Sequence, residues 1–270
     1  MILRRKQTLH AILLSLLVAV VRLNNCQWSP STWEDRADFE KYFTAAGVPG
    51  AFVIYDARND KYLAYNSKRV QAPFIPASTF KILNSLIALE TGVIADENEI
   101  IKWDGVDRGS EEWNRDHNLR SAFKVSAVWF YQELARRIGA ERMQHFVAAA
   151  DYGNKNIGGG VDVFWLTGSL RIAPKEQIDF LVKLHRNALP FTQRAIDIVK
   201  DIMIFEKTNE YVLRAKTGWG MHIGWFVGYV ERGGNVYFFA NNIDLLEAKD
   251  REARIQISKS ILHDLGLVSF

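Results

Sequence analysis

Ser78 and Lys81 stand three residues apart in Pro76-Ala77-Ser78-Thr79-Phe80-Lys81. On a helix that spacing puts a hydroxyl and an amine on one face. A serine hydroxyl becomes a useful nucleophile when a neighbouring base takes its proton, and a lysine stripped of water is one such base. The chemistry on offer is acyl transfer through an ester on serine. Spacing alone does not separate this from coincidence, because a second copy, Ser121-Ala122-Phe123-Lys124, lies downstream. Partners discriminate. Lys216-Thr217-Gly218 ends an alternating run, where an ammonium and a hydroxyl can meet an anion and glycine lets it approach the backbone. Its bland alternative is an ordinary lysine before a hairpin turn. Ser126-Ala127-Val128 falls at the expected start of a helix, where a serine is most often a cap.

These groups need elements to hold them. Pro76 can open a helix and Gly92 can end it, with apolar residues at helical spacing between. Residues 51–56 and 61–65 read as a β-hairpin. From about 96 to 201 the pattern is mostly helical, with helices expected over 128–138, 143–150, 176–184 and 192–204. Strands return at 211–216, 225–230 and 236–240, with a turn at Gly233-Gly234-Asn235, and a last helix runs from about 251 to 265. Strands at both ends of a helical middle predict an α/β (α+β) fold, a mainly antiparallel sheet with a helical insertion, and a site in the cleft between them.

Composition narrows the partners. The 270 residues are 48% hydrophobic, enough for one sizeable core or two packed subdomains. A net charge of +3, from 34 basic and 31 acidic residues without long runs, gives no case for nucleic acid. Arg4-Arg5-Lys6 before the apolar run 11–21 reads as a secretory signal over residues 1–26. The expected mature unit is 27–270, periplasmic, without a membrane span, monomeric or homodimeric. Cys26 is the only cysteine, so no internal disulfide can form. The six histidines show no ligand spacing, so neither a metal site nor metal-dependent hydrolysis is expected. Trp28, Trp33, Trp103 and Trp113 read as packing anchors, His222 as an exposed turn residue, and Asp151 and Asn156 as turn residues.

Ser78-x-x-Lys81, Ser126-x-Val128 and Lys216-Thr217-Gly218, in this order, resemble the motif set of penicillin-recognising serine enzymes. Tyr152-Gly153-Asn154, Phe164-Trp165-Leu166, Lys102-Trp103-Asp104-Gly105 and Arg251 make the resemblance specific to the class D, oxacillinase-type serine β-lactamases, over essentially all of the mature chain. It implies the serine β-lactamase/penicillin-binding transpeptidase-like fold and hydrolysis of small-molecule β-lactams, with antibiotic resistance as the outcome. Ser78 is then the nucleophile. Lys81 takes up carbon dioxide or bicarbonate as an N6-carboxylysine and becomes the general base, and no other cofactor is implied. Val128, Trp165 and Leu166 line the carbamate pocket, Ser126 relays protons, and backbone N–H groups of Ser78 and Trp219 form the oxyanion hole. Lys216, Thr217, Gly218 and Arg251 bind substrate. The same resemblance leaves open a non-hydrolytic penicillin sensor or a low-activity D-Ala-D-Ala peptidase. Two departures stand out: Leu83 after Ile82, where many relatives carry proline, and a short hairpin after Lys216-Thr217-Gly218.

Overall fold

Residues 50–55 alternate in direction but not in polarity, since all six are buried. Both faces of their strand must therefore be covered. Ala51, Val53 and Tyr55 join one core cluster, and Phe52 and Ile54 join a second. The computed structural model describes residues 31–245 and 247–269. The expected signal at 1–26, Cys26 and Trp28 lie outside the described residues.

Seven strands form one sheet: β1 (Thr32–Asp35), β2 (Gly50–Asp56), β3 (Lys61–Tyr65), β4 (Ile204–Lys207), β5 (Tyr211–Gly220), β6 (Ile223–Arg232) and β7 (Asn235–Asp244). Their order is β1-β3-β2-β7-β6-β5-β4. Only β1 pairs in parallel, with β3; the other pairings are antiparallel. The expected meander of β5, β6 and β7 is present. Met221 and His222 alone join β5 to β6, with φ of 47° and 62°. That two-residue turn matches the twist of the strands, although neither residue is glycine.

The helices among the described residues are α1 (Glu40–Ala46), α2 (Ser67–Val70), α3 (Lys81–Glu90), α4 (Leu119–Val125), α5 (Val128–Ile138), α6 (Ala140–Ala149), α7 (Pro174–His185), α8 (Gln193–Ile202) and α9 (Ala253–Asp264). Phe39 and Phe43, before and in α1, pack with Ile257 and Ile261 of α9 under one sheet face. The other face supports α7, and beyond it lies the helical lobe of α3, α4, α5, α6 and α8, whose apolar stripes meet in the larger cluster.

Local departures from the expected elements have physical causes. Residues 76–92 are not one helix: Ala77–Phe80 form a 3-10 turn, and α3 begins at Lys81. Ala77 has φ +48°, a left-handed conformation that interrupts an α-helix. Ser126 is the C-cap of α4 at φ +59° rather than the N-cap of α5. The helix expected to reach 204 stops at Ile202, because Ala215 N–H takes the Met203 carbonyl and Ile204 pairs with Arg214 in the sheet. Arg251 sits in a 3-10 turn just before α9. Trp33 stays 38% exposed and stacks on Tyr62, whereas Trp103 and Trp113 pack against the core.

Candidate active site

The turn carrying Ser78 is tied down from three separate parts of the chain. Ala77 N–H donates to the Trp165 carbonyl at 3.0 Å. Gln177 Nε2 of α7 donates to Thr79 Oγ1 at 2.8 Å, and that hydroxyl donates to the Pro76 carbonyl at 2.8 Å. Trp225 Nε1 of β6 donates to the Ile75 carbonyl at 2.8 Å. These bonds hold Ala77 in its left-handed backbone beside the nucleophile, a strained position that only such surroundings maintain.

Lys81 begins α3 beneath this turn, fully buried, with Nζ 2.6 Å from Ser78 Oγ. Burial pushes its amine well below its ordinary value, and the charge of Lys216 adds to the effect. Both favour the neutral amine. The Tyr131 ring lies 5.3 Å from Nζ, and Phe80 stacks on Trp165 at 5.3 Å between centroids, so the pocket is largely aromatic. Trp165 Nε1 is buried and has no hydrogen-bond partner among the described residues. An indole N–H left this way signals a missing acceptor.

Across the cleft, Lys216 of β5 is buried, and its Nζ donates to Ser126 Oγ at 2.9 Å and to the Thr217 carbonyl at 3.1 Å. Burial lowers its pKa to about 7, with Arg254 contributing. The left-handed cap at Ser126 turns its hydroxyl toward the sheet, which a helix N-cap would not do. Gly218 permits the close fit between β5 and the Ser78 turn. A Cβ there would lie 3.1 Å from the Pro76 carbonyl oxygen, from Thr79 Cγ2 and from Trp225 Cβ.

A cleft of about 760 Å³ gathers Ser78, Ser126, Val128, Thr217, Gly218, Trp219 and Arg251, all anticipated from sequence. Leu166 is half-buried and follows Trp165 on the same segment, packing against the larger core cluster. Trp219 is 47% exposed, and the Arg251 guanidinium stacks over its ring at 3.5 Å. The sequence reading missed Arg254, which also lines the cleft, is buried, and acts electrostatically on Lys216. Burial lowers its pKa to about 10, so the guanidinium stays charged at neutral pH. Helical phase could have found it, since Arg254, Ile257, Ser258 and Ile261 share one face of α9 and all are buried. Arg108 and Trp113 also line the cleft. Among the described residues no group of three or more metal-ligating side chains occurs, and no helix is long and apolar enough to cross a membrane.

Comparison with known proteins gives a consistent picture. The family model for the penicillin binding protein transpeptidase domain matches residues 50–265. β-Lactamase OXA-48 of Klebsiella pneumoniae is 45% identical over 234 residues, covering 85% of this chain and 88% of its own. The solved structure of the class D β-lactamase YbXI from Nostoc superposes with a TM-score of 0.84 at 52% identity, covering 85% of this chain and 99% of that one. Regulatory protein BlaR1 of Bacillus licheniformis is 37% identical over 88% of this chain, but the match spans only 40% of BlaR1.

Proposed function

Because the chain belongs to the class D β-lactamases, we propose that it hydrolyses β-lactam antibiotics through an acyl ester on Ser78. The carrying observation is the 2.6 Å contact between Ser78 Oγ and a desolvated Lys81, faced across the cleft by the Ser126–Lys216 pair. Ser78 Oγ attacks the lactam carbonyl, its proton leaves toward Lys81, and the C–N bond breaks. The departing nitrogen takes a proton through Ser126, whose hydroxyl is held by Lys216. Water then cleaves the ester and returns Ser78.

Carboxylation of Lys81 suits the residues around it. A buried amine favoured in its neutral form is the species that adds carbon dioxide. The unpartnered Trp165 Nε1 is a donor for the oxygens that would arrive. Bound there, carbon dioxide supplies an anionic base beside Ser78. Val128, which lines the cleft near Ser126, would line the carbamate pocket with Trp165, and Leu166 would help shape the space where the deacylating water arrives. Lys216, Thr217 and Arg251 would bind the substrate carboxylate, and we add Arg254, which is buried beside Lys216 and gives a fork-shaped donor set. Backbone N–H groups of Ser78 and Trp219 would receive the oxyanion. Residues 1–26 would direct export, leaving 27–270 as the periplasmic enzyme.

The test is turnover. Purified protein mixed with a chromogenic cephalosporin, with and without added bicarbonate, should complete many turnovers and do so faster with bicarbonate. Stable acylation by one equivalent would instead assign it as a penicillin sensor or a slow peptidase.

A further inference from the structure

The second Ser-x-x-Lys resolves into two unrelated roles. Ser121 completes the capping box of α4 with Asn118 and hydrogen-bonds to His117 Nδ1. Lys124, later in the same helix, is exposed and has no ion-pair partner among the described residues. It stands on a rim. One side is the catalytic cleft; the other is a second cavity of about 620 Å³, and Lys124 and Thr217 line both.

This second cavity opens where α4 and the end of α8 meet β4 and β5. Phe123, Ile202, Met203 and Ile204 give it an apolar lining, and Phe205 is 45% exposed at its edge. The one carboxylate among its lining residues, Asp201, is engaged by Arg120 at 2.7 Å. Lys216 also lines the cavity but is buried, with its Nζ held by Ser126 and Thr217. The exposed charge left without an ion-pair partner among the described residues is therefore the Lys124 ammonium, beside a hydrophobic wall. A volume of this size suits a small organic ligand. An ammonium without a counter-ion next to exposed aromatic surface selects a molecule with an anionic end and an apolar body.

We propose that this cavity binds a small amphiphilic carboxylate, an aryl or alkyl acid, with its carboxylate on Lys124 and its apolar body against Phe123, Ile204 and Phe205. The cavity adjoins the catalytic cleft, sharing Lys124 and Thr217 with it and carrying Lys216 on its wall, but Ser78 and Ser126 do not line it.

Methionine methyl groups report on it directly. Met203 lines the cavity, Met221 lies on the exposed hairpin next to Trp219, and Met143 is buried in the helical lobe. In protein labelled with 13C at the methionine methyls, titration with 2-naphthoate should move the Met203 resonance saturably and leave Met143 and Met221 in place. Lys124→Gln should weaken binding by about tenfold, the loss of one charge-assisted hydrogen bond, while Lys124→Arg retains it. Unchanged resonances in ligand-free Lys124→Gln verify its fold. A stationary Met203, movement of Met221 alone, or equal affinity in Lys124→Gln would each overturn the proposal.

Discussion

Lys81 and Lys216 are both withdrawn from water, but their amines meet different partners. Lys216 Nζ is surrounded by the oxygens of Ser126 and Thr217, whereas Lys81 Nζ has Ser78 Oγ and an aromatic ring. The first arrangement suits a cation that meets an anion, and the second suits a neutral nucleophilic amine. Lys81→Ala should therefore slow both acylation and deacylation and reduce turnover by roughly 10²–10⁴-fold, the usual contribution of a general base; rapid-quench kinetics should show slow build-up of acyl enzyme with no initial burst. Trp165→Phe keeps an aromatic ring beside Phe80 and removes the indole N–H, at the cost of some buried ring volume. Its half-maximal bicarbonate requirement should rise, and unchanged dependence would remove Trp165 from its role. At this scale the sequence was informative, since Ser78, Lys81, Ser126 and Lys216 were named from spacing and order. Arg254 was not, although its helical phase carried a signal, because a charged residue on an apolar face is confirmed as buried only by how α9 docks on β7, where Asn241 Nδ2 donates to the Arg254 carbonyl at 2.8 Å.

At the scale of elements, the fit between β5 and the Ser78 turn sets the distance across the cleft. Gly218→Ala would put a methyl group 3.1 Å from two backbone or side-chain atoms of that turn and force the strand outward. Its kcat/KM should fall by at least about tenfold, as small displacements of reacting groups cost that or more, while circular dichroism stays native. A wild-type rate would show that the contact has slack. Strands and helices with strong periodicity were legible: the meander of β5, β6 and β7, and α7 after Pro174. The 3-10 turn at Ser78 and the left-handed Ser126 were not. Local propensity favours continuous helix through the first and a helix N-cap at the second, and bonds from Trp165, Gln177 and Trp225 override it at the first.

For the whole molecule, the site is a source of instability. Lys216 titrates at about 7 in the folded chain and at its ordinary 10.5 when unfolded, so the unfolded state binds more protons between those values. Stability from this group accordingly rises as pH climbs from about 7 toward 10.5, and Lys81 acts in the same direction. Lys216→Met should raise the melting temperature at pH 7, by roughly 2–4 °C for each kcal/mol regained, with the gain shrinking toward pH 10. Differential scanning calorimetry across that range checks the sign; a gain that grows with pH would refute it. Such a trade between stability and activity is ordinary where function needs buried charge.

The three hydrogen bonds that secure the Ser78 turn also carry a kinetic message. Trp225 reaches Ile75 across 150 residues of sequence, and Gln177 reaches Thr79 across 98. Loops that long close late, after local helices and hairpins have formed. The nucleophile is then among the last features to take shape in a refolding chain. In stopped-flow refolding, acylation competence should lag behind the return of helical signal, making the enzyme a reporter of its own completion.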